Sequence, residues 1–159
     1  MLKMTRFDRH ARRTAGGFTI IELMMVVTLV AILGSLAVST YRSYVLRANR
    51  TEGRLVLLAT QVAQEKFFLQ NNRYAQTMAE VIADPAGVPP GLGIGLGAGN
   101  TTQGGFYTIT LPVGTATTYT IQASATGTQA TDDTPCQWLR IDQTGTRTAS
   151  PDNTGTCWK

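Results

Sequence analysis

Residues 18–38 run for 21 positions with a single charge, Glu22. As a helix rising 1.5 Å per residue this run is about 31 Å long, enough to cross the ~30 Å hydrocarbon core of a bilayer. A carboxylate at that depth costs on the order of a few kcal/mol, so Glu22 must find a partner or keep its proton, and it becomes the leading functional candidate. Before the run stand Lys3, Arg6, Arg9, Arg12 and Arg13 against one acid, Asp8. A flank so charged stays cytoplasmic and sends the C-terminal side across the membrane. Its last residues are Gly16 and Gly17, followed by Phe18. Glycine backbone lies in a peptidase cleft without side-chain obstruction, so the sequence allows cutting between Gly17 and Phe18.

Plainer readings fit less of the pattern. A secretory signal ending at Ala37-Val38-Ser39 would normally carry an apolar region of roughly 7–15 residues and no Glu. A twin-arginine signal at Arg12-Arg13 sits poorly with the glycines and the long run, and a simple anchor explains neither the Gly-Phe junction nor Glu22. The stretch Gly17-Phe18-Thr19-Ile20-Ile21-Glu22-Leu23-Met24-Met25-Val26-Val27 resembles the N-terminal signature of type IV pilins, the signal read by prepilin peptidase. That resemblance implies cleavage after Gly17, N-methylation of Phe18, retention of the apolar helix as filament core, and use of Glu22 in assembly. A free α-amino group on Phe18 and a carboxylate at Glu22 would stabilise each other in an apolar setting, within one subunit or between neighbours.

The formal charge of +4 belongs mostly to the leader. From Tyr74 onward there are three basic residues and six acids, about −3. The basic balance therefore reports topology, not a nucleic-acid partner. Past Ser39 a helical period continues through Tyr41, Tyr44, Val45, Leu46, Leu55, Leu58, Val62 and Leu69. Arg47, Arg50, Glu52, Arg54, Gln64 and Lys66 supply a polar side. These residues predict one helix from about Phe18 to about Gln70, its second half packed on a globular part. Gly34 and Gly53 are the places for a bend. Many type IV pilins carry a proline in the stretch corresponding to residues 37–41, and this chain has Ser39 there, which leaves open whether the helix breaks at that point. Arg50, Glu52 and Arg54 are expected on a solvated or subunit-facing surface, and Phe67 or Phe68 in the helix–sheet core. The segment Asn49-Arg50-Thr51-Glu52-Gly53-Arg54, with Gln64-Glu65-Lys66-Phe67-Phe68 and a Cys-to-Cys-Trp ending, resembles PilE-type minor pilins and the related ComP group.

Asn71-Asn72 is a helix stop. Residues 71–105, with Pro85, Pro89, Pro90 and many glycines, read as a long connecting loop with one short helical turn near residues 76–83. Gly91, Gly93, Gly95, Gly97 and Gly99 lack the strand-before, helix-after context of a phosphate loop and are expected to form a mobile surface loop. The period then changes to two, over residues 106–111 and 118–123, with a hairpin-like connection at 112–117 and a third strand at 136–142. The fold class is thus α+β: a long N-terminal helix, transmembrane in its first half, on an antiparallel sheet of three or four strands. The divisions are a leader at 1–17, a membrane or filament-core segment at 18–45, and a periplasmic head at 46–159.

Cys136 and Cys157 are the only cysteines, and both fall outside the cytoplasm. A disulfide is the economical reading, closing a loop of about 20 residues. Two cysteines without a nearby histidine do not build a zinc site, and no cofactor is expected. The one histidine, His10, lies in the leader, so the processed chain has no imidazole for nucleophilic catalysis. Asp132-Asp133 reads as a solvated turn. An enzyme is therefore not expected.

The expected function is a minor structural subunit of a type IV pilus that supports assembly and pilus-dependent processes such as twitching motility. Its partners are prepilin peptidase, other pilin subunits, the pilus assembly machinery and the inner membrane, which it spans once with its N-terminus inside before joining an extracellular filament. The alternatives are a type II secretion pseudopilin and a ComP-like pilin that takes up DNA. For DNA stand Trp138, Arg140, Arg147, Trp158 and Lys159, which offer stacking surfaces and phosphate contacts. Against it stand the acidity of the head and the expectation that Trp138 packs in the core.

Overall fold

The computed structural model describes residues 17–150 and 154–159; residues 1–16 of the leader, with its basic cluster and His10, lie outside them. Helix α1 spans Ile20–Asn71 in 52 residues. Gly34, Ser39 and Gly53 are all helical, so the helix does not unwind at either glycine. The helix ends where Asn72 turns left-handed (φ 53) and its N–H donates to the Phe68 carbonyl at 2.8 Å, a stop of the kind asparagine tolerates. The chain divides between Thr40 and Tyr41 into two compact units.

In the first unit, the large apolar side chains from Ile20 to Val38 are all exposed, from 53% at Val26 and Leu29 to 83% at Ile20. The hydroxyls of Thr28, Ser35 and Thr40 donate to Met25, Ile32 and Leu36 carbonyls. That satisfies polar groups within the helix, as an apolar environment requires.

The second unit holds a four-stranded antiparallel sheet in the order β1-β2-β3-β4, made of β1 (Tyr107–Gly114), β2 (Tyr119–Ala125), β3 (Trp138–Asp142) and β4 (Arg147–Ala149). The first two strands fall close to where the period of two places them. Pro112 lies inside β1, not in the connection, and the ladder shifts register between Thr110 and Val113. A bulge accommodates the missing proline N–H. Cys136 belongs to a 3-10 turn, Thr134–Cys136, ahead of β3.

Alternating residues Tyr107, Ile109, Tyr119, Ile121, Ala123, Leu139 and Ile141 point to one face and bury completely or nearly so around Leu57 of α1. Each large aliphatic residue so buried contributes roughly 1.5–3 kcal/mol. The side of α1 that meets this face differs from the expected one. The buried positions are Arg50, Gly53, Leu57, Thr60, Gln64 and Phe67, whereas Leu55, Val62 and Leu69 are 61%, 70% and 85% exposed. The buried set is spaced by threes and fours and the exposed set by sevens; both are helical repeats, so periodicity alone does not choose between them. The polar members of the buried set are paired: Gln64 both donates to the Ala75 carbonyl and accepts from the Ala75 N–H, and Thr60 donates to the Val56 carbonyl. Gly53 is an approach point, not a hinge, since a Cβ there would stand 3.2 Å from the Tyr107 ring.

Residues 73–105 are more ordered than a connecting loop. Helix α2 (Met78–Ile82) is capped by Thr77, and Glu80 pairs with Arg73 at 2.8 Å. The first part of the glycine run, expected to be a mobile surface, instead packs on α2. Leu92 joins Phe67, Ala75 and Val81 in a second apolar cluster, and Leu92 and Ile94 N–H groups donate to the Glu80 and Val81 carbonyls. A Cβ at residue 91 would lie 2.4 Å from Ala83 atoms, so that position requires glycine for close packing.

Candidate functional site

Gly17, Phe18 and Thr19 precede α1 in non-helical backbone. Phe18 is 81% exposed, and nothing lies within 4 Å of where a Gly17 Cβ would be. Thr19 caps the helix, its hydroxyl accepting from the Glu22 N–H at 3.2 Å. Glu22 occupies the first turn, where a carboxylate is favoured by the partial positive charge of the helix N-terminus. The Gly17-Phe18 junction is thus non-helical and open, with the carboxylate about one turn away.

The five residues suggested for DNA form two stacks and a separate position. The Arg140 guanidinium lies 4.2 Å from the Trp138 ring centroid, and its Nε donates to Gln122. Both side chains alternate with the buried Leu139 and Ile141 on β3. Trp138 is therefore on the outer sheet face, not in the core as expected. Arg147 lies 5.3 Å from the Trp158 ring, and Trp158 Nε1 donates to the Thr148 carbonyl at 3.0 Å. Arg147 pairs with Ile141 across the ladder, so it leaves the sheet on the opposite face from Arg140. The Lys159 carbonyl accepts from Arg54, and Lys159 lines a groove of about 630 Å³ with Arg47, Arg50, Asp132 and Asp133.

At the floor of that groove is a polar node that the sequence did not reveal. Arg50, expected to be solvated, is 9% exposed, and Asp133 is 1% exposed. Arg50 Nε and Nη2 donate to Asp133 Oδ2 and Oδ1 at 2.6 and 2.5 Å. Gln129 Nε2 reaches Asp133 Oδ2 at 2.7 Å and the Tyr107 hydroxyl at 3.2 Å, while Asn49 donates to Gln129 Oε1 at 3.0 Å. The hydrogen bond to Asp133 raises the Arg50 pKa, and burial pushes the Tyr107 phenol up to about 12. The only available signal was that Arg50 shares a three-and-four spacing with Gly53, Leu57 and Phe67. Three residues past Asp133, Cys136 is bonded to Cys157 with Cα atoms 5.7 Å apart and both residues fully buried. No group of His, Cys, Asp and Glu able to hold a metal occurs among the described residues.

A long helix that opens as an uncovered apolar span, a four-stranded antiparallel sheet on its later half and a C-terminal disulfide together define a type IV pilin. The chain belongs to the family described as "Type IV minor pilin ComP, DNA uptake sequence receptor", whose model matches residues 39–140. The prokaryotic N-terminal methylation motif matches residues 12–38. The type IV major pilin protein PilA of Myxococcus xanthus is 32% identical over 80 residues, 50% of this chain and 34% of that protein. A type IV major pilin protein PilE1 of Neisseria gonorrhoeae is 33% identical over 70 residues, 44% of this chain and 33% of that protein. The matches to these two relatives thus span about a third of their length. Among solved structures, a type IV pilin from Shewanella oneidensis superposes with TM-score 0.45 at 20% identity, over 72% of this chain and 98% of that one. The Neisseria meningitidis non-core minor pilin PilV gives 0.46 at 19%, over 70% and 92%.

Proposed function

We propose that this chain is a minor subunit of a type IV pilus, held in the inner membrane by residues 18–38 until it joins the extracellular filament. The observation that carries this reading is the apolar surface of α1, whose large side chains from Ile20 to Val38 are exposed among the described residues. Lipid before assembly and neighbouring helices afterwards are the two environments that would cover it. Prepilin peptidase would cut between Gly17 and Phe18, where the backbone is non-helical and exposed, and Phe18 would be N-methylated. Its amine and the Glu22 carboxylate would then form a charge pair that draws the subunit into register with its neighbours. Twitching motility is the process we assign to the filament.

Intact mass and N-terminal sequencing of membrane-extracted protein, with and without the peptidase, test this directly. The expected product begins at methylated Phe18; a terminus near Thr40 would mean that the apolar helix is discarded, and the filament reading would fall. Glu22→Ala is expected to be processed normally and recovered poorly in sheared filaments.

A second reading, a DNA-binding pilin, is favoured by the stacks of Arg140 on Trp138 and Arg147 on Trp158 and by the receptor role in the family's description. Cations beside aromatic rings suit bases and phosphates. The acidity of the head opposes it, because affinity grows with the phosphates neutralised. A gel shift of detergent-solubilised protein across a salt series separates the readings: no shift at low salt removes DNA.

A further inference from the structure

Five tyrosines occur in the chain, and they divide sharply. Tyr74, Tyr107 and Tyr119 are 8%, 0% and 0% exposed, while Tyr41 and Tyr44 are 69% and 73% exposed. The arginines of this part of α1 divide as well. Arg42 pairs with Asp132 at 2.7 Å, Arg50 is buried against Asp133, and Arg54 donates to Thr51 and the Lys159 carbonyl. Arg47 is exposed and, among the described residues, carries no ion pair to offset its charge. It lines a cleft of about 440 Å³ with Tyr44, Ala48, Thr51 and Arg54.

Tyr41, Tyr44 and Arg47 follow Val38, the last residue of the apolar run, by three, six and nine positions on the same helix. At the helical rise these are roughly 4, 9 and 13 Å along α1. Long helical side chains lean toward the N-terminal turn, so the Arg47 guanidinium reaches several ångströms back toward Tyr44. The polar layer of a bilayer is about 5–8 Å thick on each side of the hydrocarbon. Tyrosine favours that layer, with its ring toward the acyl chains and its hydroxyl in water. A guanidinium there meets phosphate oxygens with charge-assisted hydrogen bonds.

We propose that Tyr41, Tyr44 and Arg47 form a collar that docks the unassembled subunit on anionic phospholipid headgroups, the rings lying at the interface and Arg47 on a lipid phosphate. The proposal rests on the membrane-anchored reading above and adds the lipid class. DNA phosphate has the same chemistry, but the collar directly follows the membrane run, whereas the cation-aromatic stacks of the sheet and the C-terminal segment are distant from that run in sequence. Assembly would strip this headgroup from Arg47, so the collar would also retard release of a subunit from the bilayer.

The test uses the full processed chain in nanodiscs of phosphatidylcholine with and without phosphatidylglycerol, counting the lipids retained by native mass spectrometry. The wild-type chain is expected to retain phosphatidylglycerol in preference. Arg47→Gln is expected to lower that preference roughly fivefold, the contribution of one basic residue near an anionic surface. Tyr41→Ala with Tyr44→Ala is expected to weaken retention of both lipids, and Lys66→Gln to change nothing. Undiminished preference in Arg47→Gln, with an unchanged unfolding midpoint, overturns the proposal. Displacement of the lipid by inorganic phosphate or by an oligonucleotide at equal phosphate concentration overturns the lipid assignment. Failure of the wild-type chain to enter nanodiscs at all would instead overturn the anchored reading.

Discussion

Helix α1 is one hydrogen-bonded element in two physical regimes. Across residues 20–40 the large apolar side chains are exposed among the described residues, and the hydroxyls turn back on their own turns. Across residues 41–71 the helix is asymmetric, with a seam of Arg50, Gly53, Leu57, Thr60, Gln64 and Phe67 buried and Leu55, Val62 and Leu69 outside. In the first regime composition suffices, because every direction around the axis is alike. In the second, orientation is set by partners that arrive from elsewhere in the chain. That contrast assigns the two parts different sensitivities: the first to what surrounds the molecule, the second to single substitutions inside it.

The sharpest break is at Asp133. Asp133→Ala would leave the Arg50 guanidinium buried without its carboxylate, and removal of one partner from a buried pair costs about 3–5 kcal/mol. Urea unfolding followed by circular dichroism should show that loss in the head, while Glu22→Ala leaves the same transition unmoved. A small effect at Asp133 would return Arg50 to the solvated surface that its charge suggests. Next comes the bond between Cys136 and Cys157, which spans 21 residues. Replacing both cysteines with serine should cost about 3 kcal/mol on the chain-entropy account, read in the same unfolding experiment.

What the sequence made legible follows the same division. The apolar span, the starts of the first two strands near 107 and 119 and the cysteine pair were all visible, because length, period and topology act locally; the run of β1 through Pro112 to Gly114 reads in sequence as a connection. The orientation of the later helix was not. Leu55, Val62 and Leu69 carry more hydrophobicity than Thr60 and Gln64, and only a contact 83 residues away explains why Arg50 goes inside. Gly53 gave the wrong signal, since a glycine that admits an aromatic ring is indistinguishable in sequence from one that loosens a helix. The glycines after Pro90 misled similarly: Gly91 serves close packing on α2. Trp138 was expected in the core, whereas the alternation with Leu139 and Ile141 already put it on the other face.

The node beneath the sheet also predicts how the head responds to alkali. Burial, outweighing the hydrogen bond from Gln129 and reinforced by Asp133, raises the Tyr107 phenol from 10.0 to about 12. A group whose folded pKa is raised contributes stability that is complete below its unfolded value and is lost as pH rises through the folded one. The window is therefore about pH 10 to 12, with a slope of at most about 1.4 kcal/mol per pH unit. Tyr119, also raised by burial, adds to it. Tyr107→Phe should flatten the decline of unfolding free energy over that window without abolishing it, and residues 20–40 contain no group that would reproduce the effect.

The smallest effect is the most direct comparison of the two regimes, because it makes one substitution twice in one helix. Alanine is favoured over glycine in a helix interior by about 1 kcal/mol. At Gly34 a Cβ meets nothing within 4 Å, so Gly34→Ala should leave head unfolding unchanged and only stiffen its own stretch. At Gly53 the same atom lies 3.2 Å from the fully buried Tyr107 ring, which is held between the sheet and the Gln129 amide. Overpacking of this kind costs about 1–3 kcal/mol, so the helix gain should be reversed and Gly53→Ala should lose on the order of 1 kcal/mol of head stability. If Gly53→Ala stabilises the head instead, the ring yields, and the asymmetry of the later helix is set by the Arg50 pair and not by close approach at Gly53.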